Sequence, residues 1–421
     1  MAIRETAYQF ALYYLMSRMR WAQDSFACLC LSVLISISVQ AAETPEVFGV
    51  ATARWYVQES VDDDMPQDIV PQMWDYGLYL DLGYNSSSNN PENNLWRSKG
   101  TTFKLDQTQV NLAMIYVSKE AVPHSRWGIE FGLQTGVDTE NLVPVQPPEF
   151  NEPISNADVL RHLYRANTTY LFPLGDGLGV TAGLINSYIG YESFLAIQNV
   201  NYTRGYILDF VPYFLFGIQG AYPVSDTLDV SLFVVDGWNY LAHANDTPSL
   251  GFQSAWRLSP QIRYIQNLYY GPDQEESNTE FWRFFSDSIV EWKSGRYLLA
   301  GAFDFGTEKQ ADLVGNPRGN WMSGALWFGW HIHGLWNLGL RSEFFRDEDG
   351  IGTGTKQKIQ AFTGTLEYTF SPAASNTAVL ALEYRYDHSS GEEGGFYSGD
   401  NNRLVPNEQQ VILSLMWAFG S

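Results

Sequence analysis

Strict two-residue alternation is the feature that most constrains this fold, and it is clearest near the end of the chain. Between residues 409 and 419, Val411 and Leu413 fall on one side, whereas Gln410 and Ser414 fall on the other. Side chains of a β-strand alternate with this period, so such a segment presents apolar groups to lipid and small or polar groups to water. The pattern recurs along most of the chain, which indicates a membrane β-barrel.

Short and long connections alternate strictly between these segments. Short connectors rich in Pro, Gly, Asp or Ser join the two strands of each hairpin, and long polar segments separate one hairpin from the next. This asymmetry is typical of outer-membrane barrels, whose tight turns face the periplasm and whose long loops face outside. The sequence therefore predicts an all-β fold, a transmembrane antiparallel up-and-down β-barrel of about 16 strands over residues 74–421. An alternative that starts a strand at residues 47–56 and counts one further weak segment gives eighteen.

Composition argues against a helical membrane protein. The mean hydropathy is −0.21, and no apolar run outside the N-terminal region approaches the ~20 residues that a spanning helix needs. Aromatic residues make up 15% of the chain and cluster at the ends of predicted strands, where barrels carry aromatic girdles. No linker divides the chain, so we expect one barrel domain.

The N-terminal region resembles an export signal. Arg18 and Arg20 precede an apolar run over residues 26–39, and small residues follow it. This order of a charged part, an apolar part and small residues is typical of a secretory signal peptide. We therefore predict a signal peptide at residues 1–41 and a periplasmic leader at residues 42–73.

Cysteine usage and net charge narrow the function classes. The only two cysteines, Cys28 and Cys30, lie inside the apolar run, so the exported chain would have neither a disulfide framework nor a thiol nucleophile. The formal net charge is −22, which argues against nucleic acid as a partner and favours cations. The expected partners are outer-membrane lipid and small hydrophilic solutes or ions.

Charged residues on the predicted inner wall are the candidates for pore lining, because a barrel of this size leaves an aqueous channel. Arg341 and Glu343 are two positions apart, as are Glu383 and Arg385, so each pair shares one strand face. Such charges either build a transverse field that sets ion preference or neutralise one another in a wet interior. The predicted pore-lining residues are Asp81, Glu130, Arg161, Arg165, Arg263, Arg283, Asp304, Arg341, Glu343, Glu367, Glu383 and Arg385, together with Asp387.

Signatures of enzymes are scarce. The chain has no Gly-x-Ser-x-Gly, no His-Glu-x-x-His and no phosphate-binding glycine loop. His331 and His333 share a strand face but lie at a predicted turn among aromatic residues, which favours a structural role over metal binding. His243 with Asp246 is the one local hint of a hydrolase. We expect no enzymatic activity, no metal and no cofactor.

Three motifs carry a resemblance to a known family. The run Arg-Ser-Glu-Phe-Phe-Arg-Asp-Glu-Asp-Gly at residues 341–350, the turn Tyr-Pro-Val-Ser-Asp at 222–226 and the segment Tyr-Thr-Arg-Gly-Tyr at 202–206 resemble the OmpL-like outer-membrane β-barrel porins. The resemblance extends from about residue 74 to the end of the chain. It implies a location in the outer membrane of a Gram-negative bacterium and pore-like transport, with no catalytic residues.

The resemblance also directs attention to the third long loop, residues 188–211. In porins of this topology the third external loop folds inward and narrows the pore, which makes Glu192, Arg204 and Asp209 candidate constriction residues. An ordinary surface loop is the alternative. The sequence does not give the oligomeric state; trimers are common among such porins, so the resemblance makes a homotrimer one candidate.

Together these features predict an outer-membrane porin, a water-filled channel for passive diffusion of small hydrophilic solutes or ions. The acidity of the chain predicts a weak preference for cations. The alternative is a structural or adhesive barrel with a plugged lumen, whose external loops bind a partner.

Overall fold

The computed structural model describes residues 74–142, 160–238, 247–273, 280–310, 315, 317–371 and 376–420. The predicted signal peptide, the leader and the alternative first strand at residues 47–56 lie outside these ranges. The fold is almost entirely β-structure.

The described chain contains antiparallel β-strands whose bounds are close to those of the segments with two-residue alternation. They are β1 (Trp74–Ser87), β2 (Thr108–Lys119), β3 (Trp127–Thr135), β4 (Leu163–Phe172), β5 (Leu178–Asn186), β6 (Phe214–Ser225), β7 (Leu228–Val235), β8 (Ser249–Arg257), β9 (Ile262–Pro272), β10 (Trp282–Ser294), β11 (Tyr297–Lys309), β12 (Arg318–His333), β13 (Trp336–Asp347), β14 (Gln357–Phe370), β15 (Asn376–Ser390), β16 (Phe396–Ser398), β17 (Arg403–Val405) and β18 (Asn407–Gly420).

Sixteen of these strands form one closed barrel. Strands β1 to β15 pair in chain order, and β18 pairs with both β15 and β1 to close the sheet. Strands β16 and β17 form a separate hairpin within the last long loop. Closure leaves no open sheet edge, which is how a β-sheet satisfies its backbone polar groups inside hydrocarbon. The predicted barrel and its sixteen strands are confirmed.

The alternation of the sequence separates an outer apolar surface from an inner wall. The side chains of Leu326, Leu232 and Trp127 point outward and are 68%, 61% and 62% exposed. On β18, Gln410 and Ser414 point inward and are buried. Lipid covers such an outer surface, so the exposed leucines and aromatic rings are accounted for by the membrane.

The described residues contain little helix. A single helical turn covers Tyr206–Asp209, and two 3₁₀ turns cover Val137–Thr139 and Ala196–Gln198. No helix among the described residues is long and apolar enough to cross a membrane.

Two external loops pack against the inner wall. We call residues 88–107, between β1 and β2, loop 1, and residues 187–213, between β5 and β6, loop 3. Trp96 of loop 1 and Leu195 and Tyr206 of loop 3 are fully or almost fully buried in apolar clusters that include inward residues of the wall. The interior is therefore partly filled by the protein's own loops.

Candidate functional site

Loop 3 crosses the barrel from one wall to the other. The Tyr202 hydroxyl donates to Asp81 Oδ1 of β1 over 2.8 Å, and the Tyr188 hydroxyl donates to the Leu268 carbonyl of β9 over 2.8 Å. In the closed order of strands, β9 stands opposite β1. A single loop thus spans the lumen and rests on both sides of it.

Carboxylates on the wall hold the backbone of loop 3. The amide of Gly190 donates to Asp287 over 2.8 Å, the amide of Tyr202 to Glu383 over 2.8 Å and the amide of Tyr206 to Glu343 over 2.6 Å. An irregular loop carries amides that no sheet or helix satisfies, and burying them without a partner is costly. The wall acids supply the acceptors, so they fix the path of the loop.

Arg341 joins loop 3 to β13. Its Nη1 lies 2.6 Å from Glu192 Oε1 of loop 3 and donates to the Thr203 carbonyl over 2.5 Å. Its Nε lies 3.2 Å from Glu343 Oε1 on the same strand. The indole nitrogen of Trp327 donates to Glu192 over 3.1 Å. This guanidinium therefore has partners on both the wall and the loop.

Arg385 of β15 lies beside the same cluster. It pairs with Asp387 over 2.9 Å and with Glu343 over 3.1 Å. Its guanidinium carbon lies 4.8 Å from the ring centres of both Trp96 and Tyr206. Cation–π contact of this kind stabilises a desolvated cation. The arginine thus links the wall, loop 1 and loop 3.

Arg204 is buried within the loops rather than displayed to solvent. It pairs with Asp138 over 2.8 Å and donates to the Phe194 carbonyl over 2.5 Å. Asp138 Oδ1 also accepts the amide of Thr102 over 2.6 Å. Burial raises the pKa of the Asp138 carboxyl, and the Arg204 cation opposes that effect.

Loop 1 bonds to the C-terminal part of loop 3, chiefly at Asp209. Lys99 forms an ion pair with Asp209 and donates to the Arg204 carbonyl over 2.7 Å. Thr101 Oγ1 and the Tyr213 hydroxyl donate to Asp209 Oδ1 over 2.7 and 2.9 Å. Burial lowers the pKa of Lys99, and the neighbouring Asp209 carboxylate acts in the opposite direction.

Acidic groups outnumber basic groups where loop 3 meets the wall and loop 1. Eight carboxyl groups and four basic groups take part in the contacts described above; the acids are Asp81, Asp138, Glu192, Asp209, Asp287, Glu343, Glu383 and Asp387, and the bases are Lys99, Arg204, Arg341 and Arg385. Carboxyl groups in excess raise the local affinity for cations.

A second charged cluster lies on β10 and β11. Arg283 contacts Glu308 over 2.6 Å and packs over the ring of Trp238 at 4.9 Å. Asp304 is inward and buried, accepts from Ser323 Oγ over 3.1 Å and faces Asp287 across the strand pair. Among the described residues, no side chain of this cluster bonds to Glu192, Arg204 or Asp209.

The remaining predicted wall residues are spread around the barrel. Glu130 accepts from Asn167 over 2.8 Å and is partly exposed, and Arg165 stacks over the ring of Tyr164 at 4.0 Å. Arg263 is exposed near the short-turn end of β9, and Glu367 is an inward, buried residue of β14.

The prediction for Arg161 is wrong about its position. Strand β4 begins at Leu163, so Arg161 belongs to the preceding loop, where its guanidinium donates to the Glu140 carbonyl over 3.2 Å. A register shift between β3 and β4 ends regular pairing at Leu133 and Leu163, which removes Arg161 from the wall.

Sequence reasoning missed the part played by loop 1. Trp96, Lys99 and Thr101 belong to a loop rich in Asn and Ser, for which the alternation of short and long connections predicts only a position outside the membrane. The apolar residues of the two loops were the signal that could have predicted their burial. Trp96 and Leu105 of loop 1, and Phe194 and Leu195 of loop 3, are costly to leave in solvent.

Of the histidines considered as metal ligands or hydrolase residues, His331 and His333 lie within the described part of the chain. Among the described residues, no group of three or more His, Cys, Asp or Glu side chains is placed to hold a metal ion. His331 Nδ1 lies 2.8 Å from Asn337 Oδ1, a contact between neighbouring strands. His243 and Asp246 lie outside the described residues.

Solved structures similar to this chain are outer-membrane channels. The DcaP channel of Acinetobacter baumannii matches with a TM-score of 0.50 and 9% identity, over 82% of this chain and 96% of that one. The anion-selective porin of Comamonas acidovorans matches with a TM-score of 0.50 and 12% identity, over 82% and 98%. OmpF of Salmonella typhi, in complex with daunomycin, matches with a TM-score of 0.50 and 9% identity, over 82% and 97%. These likenesses concern the fold.

Sequence comparison identifies the family. A search among curated proteins finds no matching sequence. The family model described as "Putative beta-barrel porin-2, OmpL-like" matches residues 75–419, which is nearly the whole barrel. The closed sixteen-stranded sheet, its apolar outer surface and its inward-folded third loop agree with that match. The chain belongs to this family of OmpL-like β-barrel porins and is a channel protein of the outer membrane.

Proposed function

We propose that this porin passes small hydrophilic solutes or ions by passive diffusion, with a weak preference for cations, and that loop 3 sets its permeability. The observation that carries the proposal is the crossing of loop 3 between opposite walls, with more carboxyl groups than basic groups among its contacts. No covalent step and no cofactor are needed for this function.

Loop 3 limits the size of the solute, because it contacts both walls and buries Arg341, Arg385 and Arg204. A solute must pass beside the loop or move it. Both routes favour small, hydrated species over sugars or peptides. The charge imbalance adds a preference for cations, since the guanidinium groups are already paired with carboxylates.

Planar-bilayer recording tests this function. Purified, folded protein is expected to give discrete conductance steps, and a KCl gradient is expected to give a reversal potential of the sign that denotes K⁺ preference. A reversal potential that denotes Cl⁻ preference contradicts the selectivity. Absence of steps from folded protein contradicts the channel.

A structural or adhesive barrel is the second candidate. Its supporting observation is the extent to which loops 1 and 3 fill the lumen, since Trp96, Leu195 and Tyr206 are at most 2% exposed. In such a protein the external loops would bind a partner and no solute would cross. The bilayer recording separates the two candidates.

We also propose a homotrimer, as in the porins that the chain resembles. Gln266 of β9 and Ser286 and Ser288 of β10 face outward and bond to one another, with Gln266 Nε2 to Ser286 Oγ at 3.1 Å and Ser288 Oγ to Gln266 Oε1 at 2.8 Å. Most outward positions near the middle of the strands are apolar. A polar cluster there is more stable against a protein neighbour than against lipid. Native mass measurement checks the stoichiometry. Cross-linking through Ser288→Cys, with the outward Leu326→Cys as control, checks the surface.

A further inference from the structure

Polar side chains follow the closure seam of the barrel, where β1 pairs with β18. On β1 the inward residues include Asp81 and Asn85, and on β18 they include Gln410 and Ser414, with the apolar Ile412 between these two. All four polar residues are at most 2% exposed. The inward positions from Asp81 to Ser87 span roughly 20 Å at about 3.3 Å per residue, which is most of the apolar band of an outer-membrane barrel.

Oxygen atoms along this seam have no hydrogen-bond partner among the described residues. They are Asn85 Oδ1, Gln410 Oε1 and Ser414 Oγ at the seam, with Gln109 Oε1 and Asn111 Oδ1 on the adjacent strand β2. The orientations of Asn85 and Asn111 follow from their nitrogens, since Asn85 Nδ2 donates to the Thr102 carbonyl over 2.8 Å and Asn111 Nδ2 donates to the Tyr202 hydroxyl over 2.5 Å. For Gln410, the nitrogen and the oxygen are both without a hydrogen-bond partner among the described residues. Buried polar atoms are nearly always satisfied, so this row of oxygens calls for water or a cation.

The oxygens lie beside loop 3 rather than far from it. Tyr202 of the loop contacts both Asn111 and Asp81. Gly83 allows this approach, because a Cβ at that position would lie 2.6 Å from Asn111 Nδ2 and 2.7 Å from the Tyr202 hydroxyl. The row therefore follows the border between loop 3 and the wall.

The chemistry of the row selects cations. Amide, hydroxyl and carboxyl oxygens replace the hydration shell of small cations, and they outnumber the unpaired donors of the row, which are the Ser414 hydroxyl and Gln410 Nε2. The nearby cations are already engaged, because Arg204 pairs with Asp138 and Arg385 pairs with Asp387 and Glu343.

We infer that the oxygens of Asp81, Asn85, Gln109, Asn111, Gln410 and Ser414 form a hydrated track along the closure seam, which binds small monovalent cations and lets them pass loop 3. The inference rests on the proposed channel function and specifies its route. We call these six residues the seam track.

Silver ions test the seam track, since Ag⁺ is a small monovalent cation that bonds to thiols. Residues 42–421 contain no cysteine, so single-cysteine variants of the exported protein report one position each. Ser414→Cys places a thiol in the seam track with almost no change of volume. Ser231→Cys is the matched control, an inward and buried serine of β7 far from the seam.

Two readouts are taken after exposure to Ag⁺ in bilayers or detergent, namely single-channel current and the amount of free thiol measured after unfolding. We expect Ser414→Cys to lose its free thiol and most of its current, and Ser231→Cys to keep its current. A conducting Ser414→Cys channel whose thiol and current survive Ag⁺ overturns the seam track.

The two readouts keep this inference separate from the proposed function. If the wild-type protein does not conduct but the Ser414→Cys thiol reacts with Ag⁺ faster than the Ser231→Cys thiol, the seam track stands as a cation site and the channel function fails. If neither conduction nor thiol reaction occurs, both fail. Equal conductance for K⁺ and tetraethylammonium in the wild type also overturns the seam track, because a row of buried oxygens excludes so large a cation.

Discussion

Arg341 Nη1 lies 2.6 Å from Glu192 Oε1, and this ion pair joins the inner wall of the barrel to the loop that crosses it. Both side chains are almost fully buried. Removing one partner of a buried pair leaves the other charge without compensation, which costs far more than the loss of an exposed pair.

Arg341→Met is therefore expected to lower the free energy of unfolding by about 3–5 kcal/mol, because Glu192 and Glu343 lose their shared cation. Urea unfolding in detergent, followed by tryptophan fluorescence, measures the change. Arg257→Met is the control, since the Arg257 pair with Asp229 lies in solvent and contributes little. Equal stability of the two variants would show that the pair with Glu192 does not anchor the loop.

Gly339→Ala is expected to push loop 3 off the wall. A Cβ at Gly339 would overlap the Val200 carbonyl oxygen of loop 3, and overpacking of this kind typically costs about 1–3 kcal/mol. The channel should become noisier and more conductive in bilayer recordings. Gly364→Ala is the control on the next strand, where the nearest atom lies at an ordinary 3.5 Å. Quiet, unchanged currents from Gly339→Ala would argue that the loop does not control permeation.

Tyr202→Phe removes the hydroxyl that bridges Asp81 and Asn111. Both partners are buried, so the loss is expected to cost about 1–3 kcal/mol of unfolding free energy. Tyr386→Phe removes an exposed hydroxyl that bonds to Asn407 and should have little effect. Urea unfolding of the two variants measures the difference, and a Tyr202→Phe protein as stable as Tyr386→Phe contradicts the expected bridge.

The buried carboxyl of Asp273, at the external end of β9, should make the stability of the folded protein depend on pH. Burial raises the pKa of this carboxyl from 3.8 to about 6, although Arg283 acts in the opposite direction. The folded protein then binds a proton that the unfolded chain has released, so stability falls as the pH rises from about 4 to about 6 and stays lower above that range.

Asp273→Asn removes this titration and keeps an oxygen to accept from Tyr269 and Ser249. The variant is expected to gain stability relative to the wild type as the pH rises through that window, by at most about 3 kcal/mol. Unfolding curves at a series of pH values measure the difference. Parallel curves for the two proteins would contradict the raised pKa.

Much of the fold could be predicted from the sequence, because lipid imposes a simple rule on each strand. The segment from residue 409 to 419 shows it, since every second residue must be apolar to face hydrocarbon and the structure places Val411 and Leu413 outward. Turn residues then locate the hairpins. Arg161 was misplaced because strand ends depend on local register, which alternation does not encode.

The interior was harder to predict, because its contacts join distant parts of the chain. The charge pairs at residues 341 and 343 and at 383 and 385 could be seen as neighbours on one face. Their partners on loop 3 and loop 1 follow no period, so nothing in the local pattern joins Glu192 to Arg341 or Lys99 to Asp209. The apolar residues of both loops were the available signal.

The closing pair of strands has a consequence for how this barrel can be made. Ser87 Oγ donates to Glu408 Oε1 over 2.8 Å across a separation of 321 residues, and contacts this distant in sequence form late and slowly. Loop 3 touches β1 through Tyr202 and β15 through Glu383, and β18 pairs with both of these strands, so closure by β18 fixes the distance that the loop spans between them. A chain that stops short of β18 keeps two open edges, on β1 and β15, so closure of the barrel depends on its last strand.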